Sequence, residues 1–191
     1  MKFTRIPEET FQKLQLNAGV LLKNFDPTSA VVDNEDILGG TTGGTNFSAT
    51  PSFIDFGEDI DNCPKNVKEL KRLDKWDVTM SGTFITMDSA TAKTLIAAAD
   101  VQGNAITPRN DLKDEDFVDL WWVGDYSDEN GDANGGFVAI HMMNSLSTGG
   151  FSLKAADRAK GQYAYSFTGH YSIAEQDKVP FEVYVKSGTK A

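Results

Sequence analysis

Among 191 residues there is one cysteine, Cys63, and there are two histidines, His141 and His170. A lone thiol excludes an intrachain disulfide and a cysteine-based zinc site, so nothing here calls for an oxidising compartment. Catalytic signatures are missing too: no Gly-x-Ser-x-Gly, Walker A loop, HExxH or CxxC occurs. Long apolar runs are also absent. The uncharged stretch from Gly135 to Leu153 holds His141 and Asn144 among Gly, Ser and Thr, which excludes a bilayer span. MKFTRIPEETFQ at the N-terminus lacks the apolar segment of a secretory signal. Positive charge is scarce: 18 Lys and Arg stand against 28 Asp and Glu, a formal net charge of −10. Nine acids fall between Asp111 and Asp132 against Lys113 alone. Proteins that grip nucleic acid carry the opposite balance, because Lys and Arg drive phosphate binding, so tight DNA binding is not expected.

What is present is an ordinary globular mix, with 40% hydrophobic and 24% charged residues. A chain of this length buries roughly 70% of its unfolded surface, enough for a core without staples. Residues 1–191 are therefore expected to form a single domain. Most segments alternate with period two, as half-buried strands do. In Lys75–Met87, Trp76, Val78, Met80 and Phe84 oppose Asp77, Thr79, Ser81 and Thr83. In Gln162–Ala174, aromatic residues oppose Ala164, Ser166, Thr168, His170 and Ser172. In Thr45–Phe53, Phe47, Ala49 and Phe53 oppose Asn46, Ser48, Thr50 and Ser52, and Pro51 predicts a bulge or an edge. Further strands are expected at 13–22, 117–126, 136–146 and 181–186. Several of these are apolar on both parities, as Phe117, Val118, Leu120, Trp121, Trp122 and Val123 show, which predicts cover on both faces. From Asp88 to Asp100, Ala92, Leu95, Ile96 and Ala99 recur at helical spacing, Asp88 or Ser89 can cap, and Gly103 follows as a stop. The fold class expected is mainly β, a β-sandwich or barrel with one flanking helix at about residues 88–100. Protruding arms are expected at about 55–74 and 147–160, with an N-terminal arm at about 1–12.

Individual motifs favour structural readings. His141 and His170 lie in expected strands and read as structural or wall residues, not as a base or a metal ligand. Gly39–Gly44 has neither a P-loop lysine nor dinucleotide spacing and reads as a flexible loop. Asp125–Gly136 fails as an EF-hand at Ala133 and Ala139 and reads as a hairpin turn. Trp121 and Trp122 suggest a sugar-stacking platform, yet neighbours in a strand point to opposite faces. No catalytic residue, cofactor or metal site is expected, and the chain does not read as an enzyme.

The order of segments resembles a known family. Leu16-Asn-Ala-Gly-Val-Leu-Leu22 is followed by Gly40-Thr-Thr-Gly-Gly-Thr-Asn-Phe-Ser-Ala-Thr50. Then come Asp55-Phe-Gly-Glu-Asp-Ile-Asp-Asn-Cys-Pro-Lys-Asn66, Glu69-Leu-Lys71, and Trp76 before Ser81-Gly-Thr-Phe84. This series is similar to the major tail proteins, or tail tube proteins, of long-tailed bacteriophages and prophages, with the strongest likeness from about Leu14 to Ala99. The resemblance implies a virion protein, made in the bacterial host cytoplasm, that forms hexameric rings stacked into a hollow tube. Its partners would be its own copies, the tape measure, tail terminator and distal tail proteins, and double-stranded DNA in passage, with no membrane. In such a tube each of six subunits gives four strands to the inner wall, and closure at normal strand spacing and tilt gives a backbone diameter of roughly 45–50 Å.

On that model Asp77, Thr79, Ser81 and Thr83, with Asn46, Ser48 and Thr50, face the lumen. Lys and Arg are expected to be absent there, and sixfold repetition of Asp77 would add a ring of negative charge. The long loop would carry inter-ring contacts through Phe56, Glu58, Asp59, Ile60, Asp61, Lys65, Lys68, Leu70, Lys71 and Arg72, with Val67 adding apolar surface. Two other readings are the tube of a contractile injection or type VI secretion system and, from a different class, a monomeric carbohydrate-binding β-sandwich.

Overall fold

The computed structural model describes residues 7–127 and 133–188. The chain is mainly β. Its strands are β1 (Leu14–Gln15), β2 (Val20–Leu22), β3 (Thr41–Asp55), β4 (Lys71–Phe84), β5 (Ala99–Gln102), β6 (Ala105–Pro108), β7 (Val118–Ser127), β8 (Ala133–Ser147), β9 (Ser152–Lys154), β10 (Gln162–Gly169) and β11 (Phe181–Lys186). One α-helix, α1 (Ser89–Ile96), joins them, and no helix among the described residues is long and apolar enough to cross a membrane.

Nine strands form one antiparallel network in the order β1-β7-β8-β10-β4-β3, with β2 on β7, β11 on β8 and β9 on β10. The network folds on itself because β8 serves two layers. Phe137–Met142 pairs with β7 and β11, whereas Ser145–Ser147 pairs with β10. Between the two halves Asn144 takes a positive φ of 47°, and that turn bends the strand from one layer into the other. The first layer is β2-β7-β8-β11; the second is β8-β10-β4-β3. Between them lies a core of Leu21, Leu38, Val78, Met80, Phe84, Leu95, Leu120, Met142, Tyr165 and Phe167. Leu22, Trp121, Val123, Phe137 and Ala139 project from the opposite face of the first layer, where Phe25 packs against Trp121 and Phe137. Hence apolar residues occur on both parities of β7.

Several boundaries differ from those the sequence predicts. The helix ends at Ile96, because Ala97 turns out at φ 67° and Ala99 starts β5. Ala99 is still buried, but as a strand residue. Gly103, at φ 61°, makes the tight turn of the β5–β6 hairpin instead of stopping a helix. Gly39–Gly44 is not a free loop. Its second half begins β3, where Gly43 and Gly44 take positive φ and the register slips between Thr41 and Thr45. β10 stops at Gly169, since β8 has turned away at Asn144, so His170 lies past the strand. The arm at 147–160 contains β9. The N-terminal arm is partly an ordered turn at Glu8–Lys13; residues 1–6 lie outside the described residues. The tip of the 125–136 hairpin, residues 128–132, does too.

Candidate functional site

Two surfaces stand out. The first is the outer face of the second layer. Residues directly opposite each other in antiparallel strands share a face. The register sets Asn46 opposite Ser81, Ser48 opposite Thr79 and Thr50 opposite Asp77. On the other side of β4, Ser166 is opposite Ser81, Thr168 opposite Thr79 and Ala164 opposite Thr83. All seven residues predicted for one polar face therefore share it, and β10 adds Ser166 and Thr168, which alternate on the same parity of their own strand. Hydroxyls lie close enough to link: Thr148 Oγ1 is 2.9 Å from Thr168 Oγ1, and Ser48 Oγ is 3.4 Å from Thr50 Oγ1. The opposite parities of β4 and β10 carry the core, with Val78, Met80 and Phe167 fully buried.

One expectation about this face needs correction. Lys75 shares the parity of Asp77, and its Nζ lies 2.8 Å from Asp77 Oδ1. The face is not free of lysine, and the Asp77 charge has a counter-charge beside it.

The borders of this layer are open. β3 pairs only with β4, and β9 only with β10, among the described residues. Since every pairing is antiparallel, β3 and β10 run one way while β4, β9 and the end of β8 run the other. The two open borders therefore run in opposite directions.

The second surface is the arm at the end of the β3–β4 hairpin. The strands reach further into it than the sequence suggests, so the connection spans 56–70. Asp55 and Lys71–Asp74, which include Lys71 and Arg72, belong to strands. Just before it, Asp74 is squeezed out where Ser52 pairs with Lys75 but Phe53 with Leu73. This bulge, together with the border position of β3, is what Pro51 predicts. Asp55 organises the arm by accepting hydrogen bonds from the Gly57 and Asn66 amides, each at 2.9 Å. These two bonds hold its carboxyl below the usual carboxylate range. Phe53, Ile54, Phe56, Ile60 and Leu73 are exposed, whereas Val67 and Leu70 are half-buried within the arm. Glu58 pairs with Lys65 at 3.9 Å, Lys68 with Glu69 at 3.5 Å, and Lys71 lies 5.0 Å over the Phe53 ring. Asp59 and Asp61 are exposed at the tip.

The other candidates resolve as structure. Trp121 is buried and stacks on His141 at 4.0 Å, while Trp122 donates its indole N–H to Ala18 O, so the pair forms no platform. His141 Nε2 lies 3.1 Å from Asp119, and His170 packs edge-on against Phe117. Sequence reasoning missed a buried ion pair, Arg109 with Asp116. The only hint was one arginine standing at the start of the acidic stretch.

No family model matches the chain, and no curated protein does. Among solved structures, it is similar to a chain in the virion of a native gene transfer agent particle. The identity is 8%, the TM-score 0.44, and the match covers 89% of this chain and 96% of that one. A second similar chain comes from the tail of an empty gene transfer agent particle with C6 symmetry, at 8% identity and a TM-score of 0.43, covering 81% and 92%.

Proposed function

We propose that the chain is a tail tube protein of a long-tailed phage or related particle: a structural subunit, folded as one tail-tube domain, whose hexameric rings stack into a conduit for DNA. The observation that carries this reading is the second layer. It offers four strand positions, a hydroxyl-rich outer face, and two open borders of opposite direction. Rotation about an axis along the strands preserves their sense, so the β9 border of one copy meets the β3 border of the next in antiparallel fashion. Such head-to-tail contacts close into rings and remove edges that would otherwise aggregate. Asn46, Ser48, Thr50, Asp77, Thr79, Ser81 and Thr83 then line the lumen. Short hydroxyl side chains keep the wall wet, and the Lys75–Asp77 pair presents no net charge for phosphates to hold. The arm, with Phe56 and Ile60 leading, docks on the adjacent ring. The tape measure protein fills the tube before DNA does, terminator and distal tail proteins cap its ends, and the mature location is the virion.

Electron microscopy of the concentrated full chain tests this. Hollow tubes or sixfold rings are expected; a monomer at every concentration and salt condition overturns the reading.

A further inference from the structure

The two layers of the sandwich are offset at both borders. In the first layer, one cross-strand row on the core-facing side runs Leu21, Trp122, Ile140, Val183. Its exposure rises along the row: Leu21 is buried, Trp122 and Ile140 are half-buried, and Val183 is 51% exposed. In the next row Val185, opposite Val138, is 65% exposed. Phe181, on the same face, is covered by Phe47 of β3 and Trp76 of β4, with ring centroids 5.8 and 5.4 Å away. So β11 begins above the β3–β4 border, and its two valines form an uncovered ledge there.

The opposite border shows the reverse. Leu153 of β9 is opposite Tyr163 of β10, and Tyr163 shares its parity with the buried Tyr165 and Phe167. Leu153 therefore faces the core side. Phe151 joins it, 5.9 Å from the Tyr163 ring. These two are 52% and 47% exposed, so here the second layer projects and the first is missing above it.

We propose that these ledges form a lap joint between neighbouring copies. The β9 ledge of one subunit slides under the β11 ledge of the next, and Phe151 and Leu153 pack against Val183 and Val185 while β9 runs along β3. This deepens the tube reading and rests on it. The occupant is a second copy because the ledges belong to opposite layers, sit at opposite borders and carry matching apolar faces. The joint gives the ring a hydrophobic contact outside the wall, so closure does not depend on edge hydrogen bonds that water satisfies equally well in the free subunit.

The test uses the full chain with Cys63→Ser. Leu153→Cys and Val185→Cys are made separately, mixed, assembled and treated with a short bismaleimide. A cross-linked dimer is expected from the mixture and not from either variant alone. Mixed tubes that assemble without the cross-link overturn the joint and leave the tube standing; failure of the parent chain to form tubes or rings overturns both. As a second measurement, the double change Val183→Ser, Val185→Ser, confirmed as folded by its thermal melt, should raise the subunit concentration needed for tubes at least tenfold. An unchanged threshold overturns the joint.

Discussion

Lys75 and Asp77 sit side by side on the hydroxyl face of β4, with Nζ 2.8 Å from Oδ1. That hydrogen bond, and the charge behind it, raises the Lys75 ammonium above its ordinary range, and the opposite formal charges of the two side chains sum to zero. Both side chains are more than half exposed, so the pair adds little to folding stability. On the tube reading, its consequence is for whatever moves along the face. Asp77→Lys places two ammonium groups together and shifts the face by +2 per subunit. Tails should assemble normally, but dye-detected DNA release should slow, and the defect should shrink with added salt because screening acts over about 8 Å at physiological ionic strength. Lys75→Gln, which leaves a net negative face, should release DNA at the parental rate. Parental release by the Asp77→Lys particle would remove this face from the DNA path.

The arm yields a different outcome. Phe56 and Ile60 are exposed on a tip that Asp55 holds in shape, so replacing both with Ser removes apolar contact area without disturbing the fold. Rings should survive and stacking should fail, with micrographs showing discs in place of long tubes. Asp55→Ala should act the same way through loss of the tip's geometry. Long tubes from either variant would refute the inter-ring role.

Much of this was legible beforehand, and what was not has identifiable causes. Alternation around Trp76 to Phe84 fixed the two faces of β4 because a period of two leaves no other arrangement with one side buried. Pro51 marked a border for want of an N–H. Spacing alone overextends the helix, because Ala99 continues the 3.6-residue period of Ala92 and Leu95 and nothing local reveals that Ala97 reverses the chain. Lys75 shares the period-two parity of Asp77 and belongs to the polar face by spacing alone; the register adds that it lies opposite Ser52, still within the paired strands. The overhang of β11 was invisible, since Val183 and Val185 read as ordinary inward residues until the opposite layer falls short of them.

Arg109 and Asp116 form the chain's one buried ion pair among the described residues, with Nη2 at 2.7 and 2.9 Å from the two carboxylate oxygens. It ties the β5–β6 hairpin to the turn before β7. Burial on its own pushes the Asp116 carboxyl up, but the hydrogen bond from the Lys113 amide and the Arg109 guanidinium outweigh it and hold the group below its usual range. A group depressed on folding contributes stability that is complete above its unfolded value near pH 4 and is lost as pH falls through the folded value. Asp116→Asn should therefore melt lower than the parent at neutral pH, and the gap should narrow below about pH 4. Melting curves across that range check this. A gap independent of pH would show that packing, not charge, holds the turn.

Ala97 carries the clearest local cost in the fold. It stands at φ 67° and ψ −93°, a conformation that a Cβ disfavours, while its amide closes α1 by donating to Lys93 O at 3.0 Å. A non-glycine residue held there costs on the order of 1–2 kcal/mol. Glycine removes that strain but loosens the unfolded chain, which takes back about 0.5–1 kcal/mol. Ala97→Gly should therefore stabilise by about 0.5–1 kcal/mol, a rise in melting temperature of roughly 1–4 °C for a chain of this size. The other end of the helix supplies the control. Asp88 accepts from the Thr91 amide at 2.7 Å, and Asp88→Ala should lose about 1 kcal/mol. Opposite shifts in the two variants would confirm that α1 is closed at both ends by local geometry; a lower melting temperature for Ala97→Gly would mean that the methyl group packs well enough to outweigh its own strain.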